Sequence, residues 1–344
     1  MAVQGCVWRG RSAGVHQAAC AMLLAGIAAL AVPADALAQA PASNYPNKPI
    51  RLIVPYPPGA GTDFTARALG ERITEALGQQ VVIDSRPGAA ATLGHGLVAK
   101  APPDGYTLLL ATTGGMVSGP ALGLKITYDP VKDFAPIGLA TYVPYSLVTF
   151  GGLPPNNMRE FIAHAKSQPG KLNFGSSGTG TPNHLGGVML MAMTGIHMVH
   201  VPYKGGSTAL TDLIAGQVDA YFSSFGSIGP HLKTGRVRAI AVGHPARLKA
   251  WAQVPAIAET YAGFDNSGWY GLLAPVGTPQ AIIKKINADL NRGFAEPDIA
   301  KRMDVLGMEV ATTTPAGLAE LIRVQQERWR KLIKESGMTE EQLQ

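Results

Sequence analysis

Cysteine is almost missing from this chain. Only Cys6 and Cys20 occur in 344 residues, both near the N-terminus. The bulk of the chain therefore offers no disulfide, no thiol nucleophile and no Cys-ligated metal. Charge is also sparse, at 15%. The formal net charge of +6 is spread along the sequence, with no basic run of the kind that marks nucleic-acid binding. Two catalytic signatures are absent. There is no G-x-x-x-x-G-K-[ST], so Lys204-Gly205-Gly206-Ser207-Thr208 is not a P-loop. There is no G-x-S-x-G, since Phe225-Gly226-Ser227-Ile228-Gly229 fails at its first position. His197 and His200 have H-x-x-H spacing. They lie in a strand-like run, where residues three apart point to opposite faces, so no metal and no cofactor is expected.

What is present describes a globular α/β protein. Hydrophobic residues make up 46%, enough for two domains at this length. The 41 glycines and 26 prolines imply many tight loops between short elements. Residues 1–38 read as a secretory leader. Arg9 and Arg11 precede the uncharged run Ala18 to Val32, and Ala36-Leu37-Ala38 is an A-x-A cleavage site. Cleavage after Ala38 is expected, which places the mature protein in the periplasm.

The stretch from Ile50 to Arg67, I-R-L-I-V-P-Y-P-P-G-A-G-T-D-F-T-A-R, is the pattern on which the rest is built. Ile50–Val54 reads as a buried strand. Prolines and glycines make the elbow, and Thr62 is placed to cap a helix ending at Gly78. Strand, elbow and helix recur at 80–100, and a third strand, 107–111, ends in Thr112-Thr113-Gly114-Gly115. Such a repeat predicts a parallel sheet with all three elbows on one edge. Two strand-like runs, 137–141 and 145–150, are separated by Pro144 and read as a crossing into a second domain. There the pattern returns, with Ser/Thr/Gly elbows at 175–182, 204–207 and 223–224. A strand at 267–274 crosses back, and three helices follow, the last from Pro315 to about Ser336. The expected division is 39–141 plus 263–344 for one domain and 142–262 for the other.

Gly59-Ala60-Gly61-Thr62-Asp63-Phe64 after a strand, with Asp84 ending the next, is part of a dinucleotide fingerprint. Phe64 stands where the third glycine would be needed, which argues against a nucleotide. A serine hydrolase is the second rival, resting on Ser176, Ser177, Ser223 and Ser224 with His184 nearby. What the elbows share is neutral donors: Thr62, Thr112, Thr113, Ser176, Ser177, Thr181, Ser207, Ser223 and Ser224, with glycine N–H groups. Such a set suits a carboxylate held by direct or water-bridged hydrogen bonds, and equally suits helix capping.

The ordered motifs resemble the Bug-type periplasmic receptors, the substrate-binding proteins of tripartite tricarboxylate transporters. They include Tyr45-Pro46-Asn47-Lys48-Pro49-Ile50, Val82-Ile83-Asp84-Ser85-Arg86-Pro87-Gly88, Ala101-Pro102-Pro103-Asp104-Gly105-Tyr106-Thr107, Asn173 to Gly178, Val201-Pro202-Tyr203-Lys204-Gly205, Gly216-Gln217-Val218-Asp219, and Trp269 to Pro279. The resemblance implies a two-domain periplasmic binding protein of type II-like form, each domain a mostly parallel sheet flanked by helices, with the ligand cleft between them. It implies a receptor without catalytic activity that carries a small carboxylate to membrane permease subunits and acts as a monomer. A sensory role toward a signalling partner remains open. The expected ligand-binding residues are Tyr56, Gly59, Ala60, Gly61, Thr62, Asp63, Thr112 and Thr113 on one side. Facing them are Ser176, Ser177, Gly178, Thr181, His184, Tyr203, Lys204, Gly205 and Ser223. One end of the carboxylate would rest on the Thr62 elbow and the other on Ser176, Ser177 and Thr181. Hinges are expected at Ala140–Pro144 and Ser267–Ala274. Asp63 should brace its own loop, since a bare carboxylate would repel an anion.

Overall fold

The computed structural model describes residues 44–59, 61–88 and 91–335, besides the isolated residues 1 and 5. The expected leader and its cleavage site, and Ala60 of the first elbow, lie outside the described residues. Elements follow in order β1 (Ile50–Val54), α1 (Gly61–Leu77), β2 (Val81–Ser85), α2 (Thr92–Ala99), β3 (Thr107–Thr112) and β4 (Phe134–Phe150). Next come α3 (Met158–Ser167), β5 (Asn173–Ser176), α4 (Pro182–Thr194), β6 (Val199–Pro202), α5 (Gly206–Ile214), β7 (Ala220–Ser224), α6 (Phe225–Lys233) and β8 (Val237–Val242). The chain ends with β9 (Ser267–Pro275), α7 (Gln280–Phe294), α8 (Pro297–Val305), β10 (Glu309–Val310) and α9 (Pro315–Glu335). A π-helical turn, Gly114–Ser118, follows β3. No described helix is long and apolar enough to cross a membrane.

The strands form two mixed sheets that share β4. In the first, β2, β1 and β3 are parallel neighbours, and β9, β4 and β10 complete it in antiparallel pairing. In the second, β6, β5 and β7 are parallel, and β4 runs antiparallel to β7 and β8. β1 has Ile50, Leu52, Ile53 and Val54 fully buried, the near-continuous apolar run of a strand covered on both faces. α1 lays Leu69 and Ile73 on that sheet, and Gly70 lets it come close, since a Cβ there would meet Ile83 Cδ1 at 3.2 Å.

The two runs separated by Pro144 are one strand of 17 residues. β4 pairs with β9 as far as Pro144 and with β7 from Tyr145 onward. Pro144 therefore sits where the strand changes partners, a position that tolerates the missing N–H donor. The return passage is at Asn266–Ser267, whose backbone bonds Gly243 O (2.6 Å) before β9 begins. Helix α6 was not expected, because Gly226, Gly229 and Pro230 lower its intrinsic helicity. Burial of Phe225 and Ile228 holds it. The cap of α3 is Asn157, whose Oδ1 accepts from Glu160 N–H at 3.0 Å.

The last helix packs back onto the first sheet through Leu318, Ile322 and Trp329, which join a core containing Leu139, Trp269 and Leu273. Gln326 Nε2 donates to Met116 O (2.7 Å) and Gln325 Oε1 accepts from Trp269 Nε1 (2.7 Å). Leu318→Ala is expected to cost about 2–5 kcal/mol of stability as a core truncation. Val324→Ala, at a 44% exposed position of the same helix, should cost less than about 0.5 kcal/mol. Urea unfolding of the two variants measures both.

Candidate functional site

Four helix N-termini converge between the two sheets. Gly61 and Thr62 open α1, Pro182 and Asn183 open α4, Gly206 opens α5, and Ser224 and Ser227 flank the start of α6. All line one cavity of about 80 Å³. The reason is topological, since parallel strands deliver each following helix at the same sheet edge. At α4, α5 and α6 the cap residues Thr181, Gly205 and Ser224 make no side-chain bond to a first-turn N–H; Ser224 Oγ meets Ser227 Oγ instead, and the Gly226 N–H of α6 donates to Leu306 O. The remaining first-turn N–H groups are left for water or a ligand. α3, outside this cavity, is capped by its own asparagine.

Tyr56, Gly61, Thr62, Thr112, Thr113, Ser177 and Ser223 line the cavity, all of them expected from the sequence. Thr113 Oγ1 accepts from Trp269 N–H at 2.8 Å, which leaves its own proton to donate. Gly178, Tyr203, Lys204 and Gly205 line an adjoining cavity of about 530 Å³, which shares Tyr56 and Ser177 with the first. Gly59 is in neither lining. Its N–H donates to Asp63 Oδ2 (3.2 Å), and Arg67 Nε donates to the same oxygen (3.1 Å). Asp63 thus ties the elbow to the first turn of α1.

Five of the expected residues line neither cavity: Gly59 and Asp63 in the first elbow, and Ser176, Thr181 and His184 in the second sheet's loop. The last three are fully buried. Ser176 Oγ is 2.6 Å from His200 Nε2 and accepts from Gly178 N–H at 3.1 Å. Thr181 Oγ1 donates to Gly178 O (2.7 Å). His184 Nδ1 accepts from Gly180 N–H (3.2 Å), and its ring stacks on His200 at 4.1 Å. Together they hold the 178–181 loop from beneath. The Ser176–His200 contact has the outline of a nucleophile and base, but Ser176 is fully buried and its Oγ also accepts from Gly178 N–H.

Several lining residues were not anticipated. Tyr145 stands on β4 just after Pro144, Tyr221 on β7 and Tyr270 on β9. Burial raises the hydroxyl pKa of all three, and the proximity of the other tyrosines raises it further. Tyr56 is pushed up to about 12 by burial, against a smaller opposing effect of the Thr112 hydroxyl. All four stay protonated at neutral pH. Asn183 Nδ2 donates to Tyr221 Oη (3.2 Å) and to Phe222 O, while its Oδ1 accepts from Ser177 Oγ. The available signal was the position of Tyr145 and Tyr270 on the two crossing strands. The described lining contains no Lys, Arg, His, Asp or Glu. The cavity therefore offers hydroxyls, backbone N–H groups and helix ends to an anion, and no fixed countercharge.

A family model described as the tripartite tricarboxylate transporter family receptor matches residues 65–338. The chain is 38% identical over 315 residues to the UPF0065 protein in the tcbD-tcbE intergenic region of Pseudomonas sp. strain P51, covering 91% of this chain and 93% of that one. Among solved structures it is similar to R. palustris Rpa4515 with adipate, at TM-score 0.82 and 30% identity over 85% of this chain and 98% of that one. It is likewise similar to the periplasmic binding protein BugD (TM-score 0.79, 35% identity, 85% and 99% covered). A third is MatC from Rhodopseudomonas palustris with bound malate (TM-score 0.77, 32% identity, 84% and 100% covered).

Two histidines beneath the site make stability depend on pH. Burial lowers His184 to about 3, with the neighbouring His200 adding to the effect. Burial also lowers His95, to about 4, against a bond to Ala91 O. Below the ordinary histidine pKa of about 6.5 the unfolded chain takes up these protons and the folded chain does not. Stability is then full above about pH 6.5 and falls by on the order of 1.4 kcal/mol per pH unit per histidine as pH drops toward 4. Urea midpoints at about pH 7.5 and about pH 5 should differ accordingly, and His184→Gln should make the slope shallower.

Proposed function

Because the chain belongs to the tripartite tricarboxylate transporter family of receptors, we propose that it is a periplasmic solute-binding protein that captures a small carboxylate and presents it to the membrane subunits of such a transporter. The family is one of receptors. The observation that carries the reading is the convergence of four helix N-termini on a cavity without charged side chains. Helix N-termini carry partial positive charge and free N–H donors, a combination that selects anions. Protonated tyrosines add donors that a carboxylate can use and a cation cannot. The similar proteins solved with adipate and malate support the same ligand class.

In this reading the carboxylate is gripped from both sheets at once: Thr62, Thr112 and Thr113 from the first, and the starts of α4, α5 and α6 from the second. Closure is a hinge motion at the two passages between sheets, near Pro144 and near Ser267. Two hydrogen bonds bridge the sheets' flanking segments beside the cavity, Ser118 Oγ to Gly180 O (2.6 Å) and Gly226 N to Leu306 O (2.9 Å). These contacts hold the receptor shut when a ligand fills the space between, and the leader would deliver the receptor to the periplasm.

A thermal-shift screen over mono-, di- and aromatic carboxylates tests the proposal. Binding to the folded state alone raises stability by RT ln(1 + [L]/Kd), so one acid should raise Tm progressively, by a roughly constant step for each tenfold increase in its concentration above Kd. If none does, the carboxylate reading fails. Tyr270→Phe should weaken an identified acid about tenfold or more, the loss of a hydrogen bond to a charged group. Its Tm without ligand should stay near that of the unaltered protein. Unchanged affinity in isothermal titration would place the carboxylate elsewhere.

A further inference from the structure

One short turn touches two of the four helix starts at the inner cavity. Helix α8 ends at Val305, and Leu306, Gly307 and Met308 follow before β10 begins. Gly307 N–H donates to Asp304 O and Met308 N–H to Met303 O, both at 2.9 Å. This is a Schellman arrangement, in which a left-handed residue just past the helix lets the chain satisfy the last carbonyls. Gly307 supplies that conformation at φ +65°, where a residue with a Cβ is strained. β10 then fixes the turn to β4, with Thr141 Oγ1 donating to Glu309 O at 2.8 Å. The turn is therefore held at both ends by the first sheet and its helices.

Its outer side meets α6, which belongs to the second sheet. Leu306 O accepts from Gly226 N–H at 2.9 Å, taking one of the first-turn donors of that helix. The fit has no slack. A Cβ on Gly226 would lie 3.0 Å from Leu306 Cδ2 and 3.3 Å from Leu306 Cβ. A Cβ on Gly307 would lie 2.7 Å from Phe225 Cβ, and Phe225 is fully buried and stacked on Trp251 at 4.4 Å. On the other flank Met308, also fully buried, lies against α1. A Cβ on Gly61 would run into Met308 Cε, and Thr65 Oγ1 is 3.8 Å from Met308 Sδ. Gly61, Ser224 and Ser227 line the inner cavity, whereas Leu306, Gly307 and Met308 do not. The turn thus spans the gap between a cavity-lining helix start of the first sheet and one of the second.

We infer that the Leu306–Met308 turn is a stop that sets how closely the two sheets approach, and with it the width of the inner cavity and the affinity for what the cavity holds. Leu306 and Gly226 are positioning residues. They act on the ligand through Gly61, Ser224 and Ser227. The inference rests on the proposed receptor reading and deepens it, since closure on a ligand is the motion the stop limits. The three nearest atoms that a Cβ on Gly226 would meet all belong to Leu306, so the penalty of a larger side chain vanishes when the sheets separate. A larger residue also favours the helix over glycine. Its effect falls on closure and not on folding, and apparent affinity drops by the fraction of molecules still able to close.

The test is a size exchange across the contact in the mature protein, with malate and adipate as probes. Gly226→Leu should weaken the acid that binds about tenfold or more in isothermal titration, while Tm without acid stays within about 2 °C of the unaltered protein. Gly226→Ala should weaken it less. Adding Leu306→Ala to Gly226→Leu should bring affinity back to within about threefold, a coupling expected of residues in direct contact. Both cysteines precede residue 39, so spin labels can be placed singly at Lys166→Cys on α3 and Lys285→Cys on α7, both exposed positions. Their separation should lengthen in Gly226→Leu and return in the double variant. A distance distribution that Gly226→Leu leaves unchanged with and without acid, or a loss of affinity that Leu306→Ala does not repair, overturns the inference. If no acid binds any variant, the carboxylate reading falls, and the label separation alone decides whether the stop exists.

Discussion

An α-helix cannot satisfy its own first N–H groups, and this constraint organises the molecule. Three of the four helices that meet at the inner cavity start without a side-chain cap. A protein normally closes such ends with Ser, Thr, Asp or Asn, as α3 does with Asn157. Leaving them open is costly unless water or a ligand takes the donors. The cost falls where an anion gains most from it. The same cavity lacks any charged side chain among its described lining, so the helix ends meet no competing carboxylate from the protein itself. Asp63, the acid nearest in sequence to the first helix start, is bound to Gly59 N–H and Arg67.

Open helix ends are only useful if the loops that carry them are stiff. The layer beneath the second-sheet loops provides this stiffness. The side chains of Ser176, His184 and Thr181 bond the backbones of Gly178 and Gly180, Ser176 Oγ meets His200 Nε2, and Asn183 ties Ser177 to β7. Phe174, His184 and His200 stack as a continuous group of rings. Burial keeps His184 neutral, and a neutral imidazole can accept from Gly180 N–H where an imidazolium could not. On the first-sheet side His95 braces its own segment in the opposite sense, donating from Nδ1 to Ala91 O at 2.8 Å. Gly115 is required there, since a Cβ would run into the His95 ring.

Much of this was legible along the chain. The bounds of β1 follow from a run of apolar residues ended by Pro and Gly, because the element's own pattern decides them. The repeated strand–elbow–helix unit was equally plain, and with it the expectation that the elbows would share an edge. The lining of the inner cavity was legible in part. Thr112, Thr113, Ser177 and Ser223 sit at or just after strand ends and Thr62 opens the helix after β1, and strand ends in parallel sheets point to the cleft. Local pattern could not distinguish Ser177, which lines the cavity, from Ser176 and Thr181, which are tied to the loop's own backbone. Adjacent residues on a strand alternate faces, and which face is open depends on what packs there.

The sequence by itself determined the two-sheet α/β architecture, the placement of Ser, Thr and Gly at the strand ends and the absence of any strong catalytic motif. Those are properties of neighbouring residues, carried by periodicity and turn chemistry. Only the tertiary structure decided which donors face one another. Tyr56, Tyr145, Tyr221 and Tyr270 come from four separate strands or elbows. They meet because β4 runs through both sheets and β9 returns beside it. Likewise, Lys125 and Lys204 are 79 positions apart in the numbering and line one cavity only through the tertiary fold. A cleft is a relation between two lobes, and no window along one strand contains it.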